Sequence, residues 1–243
     1  MTERLDGRKV LVTGANGGLG EEFVRQALDR GADRVYATAR QPRPWEDPRI
    51  VPLALDLTDP NSVVAAANAA PDVDLLVNNA AIAPADDHSM LTQDEEITRR
   101  IFETNFIGTL RVARAFAPVL AANGGGAMLN VLSLSAWLPL PTAYTASKAA
   151  AWSATNAIRT ELAAQGTTVT GLLVGMIDTA MSSRWDMPKV SPASVVGQGY
   201  DGVATGAFEV LADDQTRLVK SLLGASAEEL NAAVAEALSG FEP

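Results

Sequence analysis

Cysteine is absent from the 243 residues, and histidine occurs once, as His88. The first absence excludes disulfides, iron–sulfur clusters and thiolate metal sites. The second leaves little for a histidine-based centre, so no metal is expected. Aromatic residues are 5% of the chain, and the four tryptophans form no stripe. Cationic side chains are outnumbered, 19 Lys and Arg against 29 Asp and Glu, for a net charge of −10. Such a surface repels nucleic acid and anionic bilayers, so neither is expected as a partner. No apolar run reaches the about 18 residues that span a bilayer. The opening MTERLDGRKVLVTG lacks the apolar core of a secretory signal, which makes a cytoplasmic location the expectation. No linker, charge block or repeat divides the chain, and a hydrophobic content of 47% supports one continuous core. Residues 1–243 are therefore read as one domain.

What is present alternates between two periods. Strand-like apolar runs occur at Val10–Thr13, Arg34–Ala39, Val51–Leu55, Asp74–Val77, Ala127–Leu132 and Val169–Val174. Between them lie helical patterns: one after Gly20 closing at Gly31, one beginning near Asp59-Pro60, and long ones over Asp94–Ala121 and Tyr144–Ala164. Buried strands with helical crossovers predict an α/β fold, a Rossmann-type doubly wound parallel sheet in three α/β/α layers. Thr216–Lys220 fits either a seventh strand or a helix, and Leu230, Val234 and Leu238 mark a terminal helix that packs on something.

Two short strings carry chemistry. Thr13-Gly14-Ala15-Asn16-Gly17-Gly18-Leu19-Gly20 joins a strand to an amphipathic helix, the context in which a glycine turn cradles a dinucleotide pyrophosphate. Its spacing reads equally as Gly14/Gly18/Gly20 or Gly14/Gly17/Gly20. The second strand ends Ala39-Arg40, without the acid that would hold a ribose 2′-OH. Arg40 therefore favours NADP(H) over NAD(H), a solvated surface arginine being the alternative. Asp56 fits contact with the adenine amino group or capping of the helix near Asp59.

The other string, Tyr144-Thr-Ala-Ser-Lys148, places a phenol and an ammonium one helical turn apart. The lysine ammonium together with the positive nicotinamide ring of an oxidised cofactor favours the phenolate, so a lowered tyrosine pKa is expected, with Tyr144 exchanging a proton with a carbonyl oxygen as hydride is transferred. Trp137 fits either a substrate pocket or the core, and Asn105 fits a role in capping or kinking its helix. His88 reads as solvated.

Together these strings resemble the short-chain dehydrogenases/reductases in their compact form, over almost the whole chain. Asn78-Asn79-Ala80-Ala81 is similar to their N-N-A-G, and Val174-Gly175-Met-Ile-Asp-Thr179 to their P-G-x-x-x-T. The resemblance implies a cofactor site drawn from Thr13, Gly14, Asn16, Gly17, Gly18, Leu19, Gly20, Arg40, Asp56, Leu57, Asn79, Ala80, Gly175, Ile177 and Thr179, together with Tyr144 and Lys148. It implies that Lys148 holds the nicotinamide ribose, that Asn105 anchors a water, and that Ser133 bonds the substrate oxygen, with Ser135 as a rival. Three departures stand out. Ala81 replaces the glycine, Val174 replaces the proline in a way expected to loosen its segment, and the serine-to-tyrosine interval is short. A substrate lid is implied at about 180–195, with Met181 and Trp185 lining the pocket beside Ser135 and Trp137, and its apolar character points to an apolar ketone or aldehyde. A homotetramer or homodimer is implied, with Asp94–Ala121 and Tyr144–Ala164 as interface helices bearing apolar outer faces. A non-catalytic dinucleotide-binding module is the alternative, which the retained serine, tyrosine and lysine disfavour. An epimerase or dehydratase acting on nucleotide sugars would need a further domain that the stretch after Val174 is too short to form.

Overall fold

The computed structural model describes residues 4–238. Strands β1 (Lys9–Thr13), β2 (Arg34–Ala39), β3 (Ile50–Ala54), β4 (Leu75–Asn78), β5 (Ala127–Val131), β6 (Thr168–Leu173) and β7 (Glu209–Leu211) form one sheet. Its order is β3-β2-β1-β4-β5-β6-β7, and every pairing is parallel. The direction of winding reverses between β1 and β4, which opens a crevice at their C-terminal ends.

Alternation along each strand separates two apolar layers. Val10, Val12, Leu75, Val77 and Leu129 face one side, where α1 (Gly18–Asp29) contributes Phe23 and Val24, and α6 (Pro192–Ala204) contributes Val195, Val196 and Tyr200. Leu11, Leu76 and Met128 face the other, against Val63 of α2 (Pro60–Ala69) and Phe116 and Leu120 of α4 (Thr109–Ala122). Helix α5 (Ala143–Leu162) follows β5 on this second side, with Leu162 in the cluster. The expected three-layer arrangement is what forms.

Several elements differ in detail from the sequence reading. Asp94–Ala121 is not one regular helix: α3 (Glu95–Phe102) passes through a π-helical turn at Glu103–Gly108 into α4. Thr216–Lys220 lies within a helix, α7 (Asp214–Ser221), and the seventh strand is the three-residue β7 ahead of it. Such a short strand has no visible period. Helix α6 follows a Ser191 cap and Pro192 at its first turn, a start signal with Val195, Val196, Tyr200 and Val203 inward behind it. In the terminal helix α8 (Ala227–Leu238), Val234 is buried and Leu230 packs on a third apolar cluster, while the side chain of Leu238 lies outside the described residues. The proposed interface helices are not strongly apolar outside. Ile107 is the one exposed large apolar side chain on them among the described residues, and α3 carries exposed Arg99–Glu95 and Arg99–Glu96 ion pairs instead.

Candidate active site

At the crevice, the turn after β1 is shaped by backbone demands. Gly14 and Gly18 have φ of 68° and 55°, a region that side chains disfavour. Gly20 is required by contact, since a Cβ there would stand 2.1 Å from the Gly14 carbonyl oxygen. Gly17 is extended and faces open space. The structure thus selects the Gly14/Gly18/Gly20 spacing. No side chain caps the N-terminus of α1, so its first amides remain available to an anion. Thr179 lies across the turn, with Cγ2 at 3.6 Å from a Cβ placed on Gly18. An uncapped helix end over an open glycine turn fits a pyrophosphate.

Some residues grouped with the cofactor site also build its frame. Thr13 is fully buried, and its hydroxyl accepts from the amides of Asn79 (2.9 Å) and Ala80 (3.0 Å). Asn79 Nδ2 returns a bond to the Thr13 carbonyl at 2.8 Å. This clamp joins the ends of β1 and β4. Leu19 and Leu57 are buried in the two core layers, and the Leu57 carbonyl accepts from Arg111. Asn16 is exposed and donates to the Gln41 carbonyl at 2.7 Å, tying the turn to the end of β2.

Arg40 is exposed at that strand end, with no hydrogen bond or ion pair among the described residues. Its charge helps hold the Asp56 carboxyl below the usual range, behind the larger effects of the Thr58 amide and hydroxyl. Those two donors, at 2.9 and 2.7 Å, make Asp56 the head of a turn. The cap of α2 is Asp59, which accepts from the Asn61 amide, rather than Asp56.

The candidate reacting groups converge beyond β5. The Ser133 hydroxyl lies beside the Tyr144 phenol and acts to lower its pKa. Ser133 Oγ accepts from Ser135 N (3.1 Å) and Ser135 Oγ (2.9 Å), which leaves its own proton to donate. Lys148 Nζ donates to the Val131 carbonyl at 3.1 Å and lies 5.7 Å from the Tyr144 ring centroid. Burial raises the Tyr144 pKa, the Ser133 hydroxyl opposing it, and burial lowers Lys148 to about 8. The expected depression of the tyrosine pKa is therefore absent from the protein alone. Desolvation outweighs the effect of Ser133, and the Lys148 ammonium lies beside the ring without bonding the phenol oxygen.

Asn105 is buried in the π-helical turn. Its Oδ1 accepts from Ile82 N at 2.8 Å, and its Nδ2 donates to the Ile82 carbonyl at 2.9 Å and to Ser147 Oγ at 3.2 Å. Its side chain thus holds the segment after β4 against α5, with three of its four possible hydrogen bonds made. Trp137 is a core residue, packed edge-to-face on Trp152 at 5.7 Å with the Lys220 ammonium over its ring. Sequence reasoning could not separate that role from a pocket wall. It also missed Ser147 and Asp87, whose spacings in sequence carry no motif.

The segment after β6 is firmly held despite Val174. Gly175 N donates to Asp213 Oδ2 at 2.7 Å, and the Val174 carbonyl accepts from Leu134 N at 2.9 Å. Ile177 bridges to Val190 and closes the base of the loop. Within that loop Met181 is exposed, and Arg184 stacks on Trp185 at 3.9 Å while reaching the Ala83 and Pro84 carbonyls. No helix is long and apolar enough to cross a membrane, and no cluster of metal-ligating side chains occurs, both among the described residues.

The chain matches the short chain dehydrogenase family over residues 8–189. A short chain dehydrogenase from Burkholderia cenocepacia, solved in complex with NADP, is 37% identical with a TM-score of 0.88, over 95% of this chain and 98% of that one. Galactitol 2-dehydrogenase (L-tagatose-forming) of Cereibacter sphaeroides is 33% identical over 74% of this chain and 76% of its own. D-erythrulose reductase of Gallus gallus is 33% identical over 78% and 79%, respectively.

Proposed function

From the premise that this chain belongs to the short-chain dehydrogenase family, and is therefore an oxidoreductase built around a nicotinamide dinucleotide, we propose that it is an NADP(H)-dependent carbonyl reductase. It interconverts a ketone or aldehyde with the corresponding alcohol. The observation that carries the reading is the convergence of Ser133, the Tyr144 phenol and Lys148 at the end of β5, with Lys148 Nζ 5.7 Å from the phenol ring.

When bound, the reduced nicotinamide would supply the hydride. Tyr144 Oη gives its proton to the carbonyl oxygen as the carbonyl carbon is reduced, and burial keeps the phenol protonated for that step. Ser133 orients the same oxygen with the proton its two accepted bonds leave unspent. Ser135 has committed its hydroxyl proton to Ser133, which favours Ser133 over its rival. Lys148 keeps further N–H groups beyond the one given to Val131 for the nicotinamide ribose. Arg40, exposed and without an ion pair among the described residues, is the partner for a 2′-phosphate, in keeping with the NADP bound in the relative from Burkholderia cenocepacia.

An apolar carbonyl is the substrate class favoured by Met181 and Trp185 in the 180–195 loop. The test is NADPH oxidation against a panel of apolar ketones, aldehydes and quinones, with ketoses included because two relatives are named for them. Tyr144→Phe should lose turnover by about a hundredfold or more while binding NADPH normally. Ordinary turnover in that variant would overturn the mechanism, and a preference for ketoses would overturn the apolar assignment.

A further inference from the structure

We infer that Asp87, in the segment between β4 and α3, is the positioning residue for Tyr144. The inference rests on the reading of Tyr144 as proton donor. The first amides of a helix have no acceptor within it. At the start of α5, Thr142 Oγ1 accepts only from Thr145 N, at 3.2 Å. The two amides ahead of it belong to Asp87, whose Oδ1 accepts from Ala143 N and Oδ2 from Tyr144 N, each at 2.8 Å. A cap normally comes from the residues just before the helix. This one comes from 56 and 57 residues upstream, and its negative charge meets the positive end of the helix dipole.

The bonds around Tyr144 form a closed ring. Its amide is held by Asp87. Its carbonyl accepts from Ser147 Oγ at 2.7 Å, Ser147 accepts from Asn105 Nδ2, and Asn105 grips both backbone groups of Ile82. Ile82 and Asp87 belong to the same segment, which is fastened again where Met90 N donates to the Pro141 carbonyl at 3.0 Å. The backbone of the proton donor is thus fixed from both sides by one strap. A geometry set this way is sensitive to small displacement, because an error of about 1 Å in a reacting group can cost on the order of a hundredfold in rate.

The experiment compares Asp87→Ala, Asp87→Asn and Tyr144→Phe with the unmodified protein. Asp87→Ala should lower kcat by about 10- to 100-fold and leave NADPH affinity unchanged. Asp87→Asn keeps one acceptor oxygen and should fall between. Amide exchange should accelerate at Ala143 and Tyr144 in the alanine variant while the later turns of α5 keep their protection. If Tyr144→Phe is inactive but both Asp87 variants turn over normally, the inference fails and the proposed function stands. A loss of protection spread through the sheet would make Asp87 a general stability residue and also overturn it. Full activity in Tyr144→Phe would instead remove the function reading itself, before any Asp87 variant is assayed.

Discussion

Replacing Lys148 by methionine should make the cofactor-free protein more stable at neutral pH while abolishing its activity. Lys148 is 4% exposed, donates one hydrogen bond to the Val131 carbonyl, and has no carboxylate bonded to it among the described residues. Burial lowers its pKa from 10.5 to about 8. At about 1.4 kcal/mol per pKa unit, holding the charged form in the fold costs about 3 kcal/mol. Methionine is of similar length and removes that cost, but it strands the Val131 carbonyl, a loss of about 1–2 kcal/mol. The net gain is about 1–2 kcal/mol, or roughly 2–8 °C in Tm for a chain of this size. An unfolded lysine keeps its proton up to about 10.5, whereas the folded one loses it near 8. Between those values the unfolded state binds more protons, so the stability of the unmodified protein rises with pH across that window, and the penalty is fully present below it. Lys148→Met should lack the rise. Urea unfolding of both proteins without cofactor, at a series of pH values from about 7 to 10.5, measures both effects. A variant less stable than the parent at pH 7, with the same pH slope, would refute the reasoning. Its meaning would be that the ammonium is solvated or paired.

Ser133→Ala should cost about 2–4 kcal/mol of transition-state stabilisation, the scale of a lost oxyanion donor, and Ser135→Ala much less; kcat/KM for each variant decides, and the reverse order would transfer the role to Ser135. Arg40→Leu combined with Ala39→Asp should reverse a preference for NADPH of about ten- to a hundredfold, worth roughly 1.5–3 kcal/mol. Equal use of NADH and NADPH by the unmodified enzyme would leave Arg40 a surface charge. Gly20→Ala should unfold or badly destabilise the first turn, because its Cβ meets a carbonyl oxygen at 2.1 Å. Gly17→Ala should fold normally and weaken only dinucleotide binding, and thermal unfolding with a cofactor titration separates the two.

The sequence by itself determined the layers and named the candidate reacting groups. Strands buried on both faces must be apolar at nearly every position, and Val10–Thr13 or Asp74–Val77 state that composition directly. The glycine turn and the Tyr144/Lys148 pair were legible as candidates because the chemistry proposed for them depends on fixed local spacing, which survives translation into a linear string. The α2 cap at Asp59 and the start of α6 at Ser191-Pro192 were written in local signals too, the second passed over because the loop before it is irregular. Everything that depended on contact across the chain was decided only by the tertiary structure. Which glycine triplet matters follows from the approach of Gly20 to Gly14 and from the backbone at Gly18. Trp137 joined the core because Trp152 and Lys220 meet it there. The pKa of Tyr144 moved up rather than down because burial, a property of the whole fold, outweighs the opposing effect of Ser133. Asp87 reaches Tyr144 from a loop with no periodic signal, since a carboxylate that caps a distant helix needs only the right place in space, and a sequence records order along the chain rather than proximity.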